Sequence, residues 1–421
     1  MIQILDKQHC CGCAACVQRC PKHCISLQED AEGFLYPKVD LSRCIDCGLC
    51  EKVCPELHAA SARKPLATYA GKHKNDEIRE GSSSGGVFTA LAEKVIEAGG
   101  VVFGARFDAN WETMHDYTET IAGLSAFRGS KYMQSRIGNS YTLAEQFLKS
   151  GRTVLFTGTP CQIAGLKLFL RKDYDQLLTV DVICHGAPSP GVWRQYLQEE
   201  IARQRNRKNA NLPSPISGSD VSVVDIAFRN KVPGWKKYSF ALTLSATGKN
   251  GKDFSFCSRI PFTENLFMQG FLADLYLRPS CYACPAKGGQ SNSDLTLGDF
   301  WGIQHVMPQL DDDKGISVVL VNTEKGQTLL DQTKINVWPT DYLQVLPYNP
   351  ALERSAQKPL KRERFYASGN NIPISKRIVK CTRSSYKQRL NQHLRKSVSA
   401  VLGKKGKMLI KKWVRKCVSL Y

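Results

Sequence analysis

The chain has 421 residues, too many for one ordinary core, so two or three domains are expected. Apolar and charged fractions of 42% and 23% are those of a globular protein and exclude disorder for the bulk of it. The net charge of +20 is uneven: residues 358–421 hold nineteen Lys/Arg against one acid, Glu363, which leaves the body close to neutral and confines any anionic partner to the C-terminal segment.

The first residues lack the basic start and apolar run of a signal peptide, and no stretch approaches eighteen consecutive apolar residues. A reducing, cytoplasmic setting is the expectation, and there crowded cysteine binds metal more often than it pairs. Ten of the seventeen cysteines fall between Cys10 and Cys54. They form two copies of one spacing: Cys10-x2-Cys13-x2-Cys16-x3-Cys20-Pro21, and 34 residues later Cys44-x2-Cys47-x2-Cys50-x3-Cys54-Pro55. This is the bacterial ferredoxin run, in which the fourth cysteine normally ligates the other cluster. It assigns Cys10, Cys13, Cys16 and Cys54 to one [4Fe–4S] cluster and Cys44, Cys47, Cys50 and Cys20 to a second. Zinc also favours Cys-x2-Cys pairs, but eight ligands in a duplicated pattern with both trailing prolines favour iron–sulfur. Cys11 and Cys24 fall outside the pattern and are expected to pack. Between the copies, residues 32–37 read as an extended or hairpin segment, and residues 58–66 as a linker.

From Thr68 helix and strand alternate. Helical spacing over 87–96 stops at Gly99-Gly100, a strand follows at 101–105, and a helix is expected at 139–149. Then come a strand at 153–156, a helix at 162–170 and a strand at 178–183. That alternation predicts an α/β layer architecture. Residues 221–257 differ, with two alternating runs and Asn250-Gly251 predicting an antiparallel insertion with a hairpin. Residues 316–321 are a further strand. The expected fold is therefore an α+β ferredoxin-like module (1–58), a larger α/β domain (67–340) carrying the insertion, and a basic helical or disordered tail (358–421).

Five motifs follow in order: Gly81-Ser82-Ser83-Ser84-Gly85-Gly86; Gly129-Ser130-Lys131-Tyr132-Met133-Gln134-Ser135; Gly158-Thr159-Pro160-Cys161-Gln162; Cys184-His185-Gly186 with Cys281-Tyr282-Ala283-Cys284; and Asp294 through Gly302. From Thr68 to Thr323 the chain thereby resembles the family of beta subunits of coenzyme F-420 hydrogenases and dehydrogenases, in which a ferredoxin module is a common companion. The family includes formate dehydrogenase subunits, sulfite reductase modules and chlorophyll-pathway reductases, so the resemblance does not name a substrate. It implies FAD and one further [4Fe–4S] cluster. Cys161 and Cys184 lie just past predicted strands, where loops of an α/β sheet collect ligands. Cys281 and Cys284 supply a distant chelating pair. These four are the expected third set; the alternative is two buried cysteines and a zinc pair.

For the flavin, Ser83, Ser84, Gly85 and Gly86 precede a helix whose free amides suit a pyrophosphate. Lys131 would add positive charge to the phosphates or the ring, and Thr159 and Gln162 would bond the ring edge. An ordinary helix cap and a solvated lysine are the plain alternatives. His185 is either a proton relay or structural, and Asp299, Phe300 and Trp301 are expected to wall the pocket. Hydride carriers move two electrons together and a [4Fe–4S] cluster one, and a flavin handles both modes. The expected function is electron passage between a ferredoxin-like redox partner and an unknown small-molecule substrate, with direction open. The alternatives are a subunit without a substrate site, or a cluster-stabilised interaction protein. Apolar positions mixed with Lys/Arg over 394–418 predict a surface helix that lies on anionic membrane or meets an acidic partner. No nucleic acid is expected.

Overall fold

The computed structural model describes residues 1–205, 221–247, 253–369 and 371–383. Strands β1 (Ile25–Glu29) and β2 (Leu35–Val39) pair as an antiparallel hairpin between the two cysteine runs. The larger part is an eight-stranded mixed sheet. Its strands are β3 (Ala67–His73), β4 (Val101–Phe107), β5 (Thr113–Thr118), β6 (Val154–Gly158) and β7 (Leu177–Val182). After the three-stranded insertion of β8 (Val221–Asn230), β9 (Ser239–Thr247) and β10 (Asp253–Pro261), it continues with β11 (Leu295–Asp299), β12 (Ser317–Val321) and β13 (Ile335–Thr340). The order is β13-β3-β12-β11-β7-β6-β4-β5; β4, β6, β7 and β11 run parallel and the rest join antiparallel.

The parallel strands are short unbroken apolar runs because both faces are covered. Val101, Phe103, Val154 and Phe156 point to the helices Ser140–Lys149 and Pro160–Leu170. Val102 and Leu155 point the other way, to the helix Val87–Glu97. The insertion is an antiparallel meander, as its alternation predicts; the Asn250-Gly251 turn lies outside the described residues.

The ferredoxin-like module is docked on the larger domain. Cys11, Cys13, Ala14, Ala15 and Val53 share one core with the helices over 140–170. Gly165 makes that seam possible, because a Cβ there would sit 2.8 Å from Cys13 Cβ and 2.9 Å from its Sγ. Residues 58–66 have no regular structure but are not a free linker. Arg63 N donates to Gly288 O at 2.9 Å, Leu66 N to Val321 O at 2.7 Å, and Ala60 O accepts from Gln290.

The segment expected as a tail from residue 358 is folded over its described part. Helices Arg362–Ala367 and Ile374–Thr382 bury Phe365, Ile374, Ile378 and Cys381 in the core of the meander. Arg362 also forks onto Glu32 of the small module, so this segment packs against both parts. The predicted surface helix over 394–418 lies outside the described residues. Among those described, no helix is long and apolar enough to cross a membrane.

Candidate cluster and cofactor sites

Each cysteine run bends around the same two backbone positions. Gly12 (φ +73°) and Ala14 (φ +58°) in the first copy correspond to Asp46 (φ +50°) and Gly48 (φ +70°) in the second. Left-handed residues alternating with ordinary ones turn successive amides inward, a concavity suited to an anion. Ala14 and Asp46 hold that conformation despite their side chains, which costs energy wherever it is imposed.

The runs enclose two open hollows. One, of about 380 Å³, is lined by Cys10, Cys11, Cys13, Cys16 and Cys54. The other, of about 350 Å³, is lined by Cys20, Cys24, Cys44, Cys47 and Cys50. The fourth cysteine of each run thus lies with the first three of the other, the crossing that the ferredoxin spacing predicts. Cys11 and Cys24, expected only to pack, line these hollows too. Cys24 Sγ is 3.4 Å from Cys20 Sγ. Burial, then the neighbouring Cys10, Cys54 and Cys50, push the Cys16 thiol up to about 12. Among the described residues, no three His, Cys, Asp or Glu side chains crowd around a point as a single ion requires.

Cys161, Cys184, Cys281 and Cys284 come together at the ends of β6 and β7. Cys161 stands in the first turn of helix Pro160–Leu170, Cys184 follows β7, and Cys281 closes in from the 3-10 turn Pro279–Ala283. Burial first, then mutual repulsion, raises the thiols: Cys184 to about 12, Cys284 to about 11, and Cys281 higher still. Cys161 is raised first by its bond with Cys11 and then by burial. Backbone and side-chain donors face the sulfurs. Ala187 N donates to Cys281 Sγ at 3.3 Å, and Thr159 Oγ1 lies 3.3 Å from Cys161 Sγ. The buried Lys287 ammonium reaches the Cys184 and Ala351 carbonyls and lowers the thiols of Cys184 and Cys284, a placement suited to a group of net negative charge. His185 pairs with Asp274 and meets Phe271 edge-on.

The third set touches the first. Cys11, Cys13 and Cys161 pack in one buried cluster, and burial raises the nearby Glu56 carboxyl to about 7.

The serine-glycine loop is pinned from three sides. Ser83 Oγ accepts from Ser130 N at 2.6 Å, Ser84 Oγ donates to Ile316 O at 2.7 Å, and Gly85 N donates to Ser317 Oγ at 3.0 Å. A Cβ on Gly85 would lie 2.3 Å from Gly71 O, so only glycine lets the loop lie this close to β3. Gly86 (φ +83°) opens the helix Val87–Glu97. Lys131, beside Ser130, is lowered to about 7 by burial, against the pull of Asp225. Its ammonium reaches the Arg128 and Gly129 carbonyls and lies over Phe107.

Thr159 and Gln162 flank Cys161 at the start of helix Pro160–Leu170. Gln162 Oε1 accepts from Thr159 N at 2.9 Å as part of a capping box, and Gln162 Nε2 donates to Ser135 Oγ at 2.8 Å. Ser135 in turn bonds His115, whose burial lowers it to about 4 and keeps the ring neutral. The bonds of this pair hold the turn that presents Cys161.

Asp299 at the end of β11 accepts from the buried Arg229 and from Trp235 Nε1. Arg229 lies over Tyr238 at 4.4 Å and Trp301 at 5.2 Å, Trp235 stacks on Trp301 at 4.9 Å, and Phe300 is wholly buried. Among the described residues, Arg229 Nε and Nη2 meet no hydrogen-bond partner.

Models of the coenzyme F420 hydrogenase/dehydrogenase beta subunit match this chain twice, the N-terminal part over residues 68–140 and the C-terminal part over 151–339. Together these span well over half of it. The chain belongs to the family of coenzyme F420 hydrogenase/dehydrogenase beta subunits. A 4Fe-4S dicluster domain matches residues 9–57, so this member carries an N-terminal 4Fe–4S ferredoxin-like domain.

Among similar proteins, one subunit of the F(420)H(2) dehydrogenase of Methanosarcina mazei is 24% identical over 193 residues, 43% of this chain and 55% of that protein. One subunit of the NADH-quinone oxidoreductase of Pelobacter propionicus is 40% identical over 58 residues, 12% of this chain and 31% of the relative. A 7Fe ferredoxin of Hydrogenibacillus schlegelii is 50% identical over 42 residues, 10% of this chain and 47% of the relative. The chain spans about half or less of these relatives' own lengths. A chain of the F420-reducing [NiFe] hydrogenase complex from Methanosarcina barkeri is similar with a TM-score of 0.41 at 17% identity, over 74% of this chain and 96% of that one.

Sequence reasoning about this family member missed Arg229, Trp235, Lys287 and Arg278. Arg278 carried the nearest usable signal, a cation three residues before Cys281. Arg229 and Trp235 lie in the insertion and meet Asp299 only through the fold.

Proposed function

We propose that this chain is an iron–sulfur flavoprotein oxidoreductase. It would carry electrons between a ferredoxin-type one-electron partner and a two-electron organic substrate. The observation that carries the reading is the packing of Cys11, Cys13 and Cys161 in one cluster, which brings one N-terminal cysteine set against the third.

Three ligand sets are assigned: Cys10, Cys13, Cys16 and Cys54; Cys20, Cys44, Cys47 and Cys50; and Cys161, Cys184, Cys281 and Cys284. Burial raises the thiols of Cys13, Cys16 and Cys54 and those of Cys184, Cys281 and Cys284, so ligation at these sets must displace protons. Lys287 would offset the negative charge of the third set. Cys47 is exposed, so a second set that includes it would face solvent, where an outside redox protein can approach. The first set lies inward against helix Pro160–Leu170. These positions favour an inward order of second, first and third set.

The loop at Ser83, Ser84, Gly85 and Gly86 fits a flavin pyrophosphate: glycine is sterically required at 85, and a helix N-terminus follows. Lys131 would supply charge near the phosphates. Arg229, with two buried nitrogens unpaired inside an aromatic frame, fits acceptor atoms of a flat ring, and Asp299 and Trp301 hold it in place. Bound FAD would exchange single electrons with a cluster and pairs with an organic molecule. Thr159 and Gln162 orient Cys161.

The second reading, an electron-transfer subunit whose partner polypeptide holds the substrate site, is favoured by the family itself, one of beta subunits. The basic segment beyond residue 383 would add contact with an anionic membrane surface. Rapid mixing of the anaerobic chain with a reduced ferredoxin tests the leading reading. Cluster absorption is expected to bleach first and flavin absorption after it. Bound flavin that stays oxidised while the clusters are reduced overturns the proposal.

A further inference from the structure

Arg278 lies 268 residues from Cys10 in sequence and against it in the fold. Its side chain is buried, 1% exposed, at the start of the turn that carries Cys281. Nε donates to Cys10 O at 2.6 Å, Nη1 to Gln134 Oε1 at 2.9 Å, and Nη2 to Cys10 Sγ at 3.3 Å and Leu35 O at 3.0 Å. The guanidinium lies over Tyr36 at 4.3 Å and Phe34 at 5.4 Å. Gly12 leaves room for it, since a Cβ there would come within 2.7 Å of Nη1 and 2.6 Å of Gln134 Nε2.

Of the four other buried arginines among the described residues, Arg79, Arg229 and Arg362 each meet a carboxylate, and Arg377 meets the amide of Gln195. The bonds of Arg278 go to two carbonyls, an amide and a thiol. A guanidinium taken out of water without an opposing charge is strongly unfavourable. The Glu56 carboxyl feels the Arg278 charge but does not bond it, whereas the group that Cys10 would ligate is anionic and lies against the guanidinium at Cys10 Sγ. Hydrogen bonds to the sulfurs and local charge are the terms that set a cluster's potential. A buried cation favours the more negative, reduced state and so raises it.

We propose that Arg278 is a positioning residue with two effects. It pins the Cys10–Cys16 loop to the segment bearing Cys281, and it raises the reduction potential of the [4Fe–4S] site formed by Cys10, Cys13, Cys16 and Cys54. This rests on the reading of those cysteines as ligands.

The test is a redox titration of the full chain, prepared without oxygen and followed by EPR, in the wild type, Arg278→Gln and Arg278→Lys. In Arg278→Gln one of the two N-terminal waves is expected to move to more negative potential while the other stays. Arg278→Lys keeps the charge but cannot span Cys10 and Gln134, so a smaller displacement of the same wave is expected. Should Arg278→Gln fail to retain iron, the displacement in Arg278→Lys decides. Unmoved midpoints, or both N-terminal waves moving together, overturn the proposal. A wild-type chain with no N-terminal [4Fe–4S] signal would instead overturn the ligand reading beneath it.

Discussion

Cys161→Ala, made in a Cys11→Ala background, is expected to remove about four iron and about four sulfide per chain and to leave the N-terminal sites filled. Cys161 occupies the first turn of a helix whose cap is built by Thr159 and Gln162, and alanine suits that position, so the fold should survive. The background substitution matters because the Cys11 thiol packs beside Cys161 and could take its place. The measurement is iron and acid-labile sulfide per chain, with EPR of the reduced protein. Retention of the full iron content would show that Cys161 holds none.

Gly165→Leu is expected to open the seam between the small module and the larger domain without emptying either. Cys13 packs where the new side chain would grow, with Tyr141 Oη only 3.2 Å from the added Cβ. Overpacking of this kind costs about 1–3 kcal/mol, and each 1.4 kcal/mol is about ten-fold in a population. The amides of the helix Ala15–Arg19 should then exchange roughly ten-fold faster with solvent, since local opening sets their protection. Hydrogen exchange read by mass spectrometry checks this. Unchanged exchange in that helix would mean that the seam is not held at Gly165.

The parts of this molecule legible in its sequence are those in which chemistry is local. A repeat of cysteine spacings, apolar runs such as Val101-Val102-Phe103, and the alternation of β8 and β9 all act over a few residues. The long crossings were not legible. Strand β3 lies between β12 and β13, each more than two hundred residues away, and nothing in Ala67–His73 names those neighbours. Arg278 reads as an ordinary surface arginine until the fold carries Cys10 to it. Thr159 and Gln162 also carry a second local signal, the spacing of a capping box, which accounts for their bonds within the turn. The C-terminal charge count ran over residues 358–421 as one unit and hid Phe365, Ile374 and Ile378, whose apolar side chains dock the two helices that carry them.

The central claim is that twelve cysteines hold three cubanes which feed one flavin. Its most direct test is the composition of the full chain purified without oxygen. About twelve iron, about twelve acid-labile sulfide and about one FAD per chain are predicted. About eight iron with no flavin, or zinc in place of iron and sulfide, would contradict it.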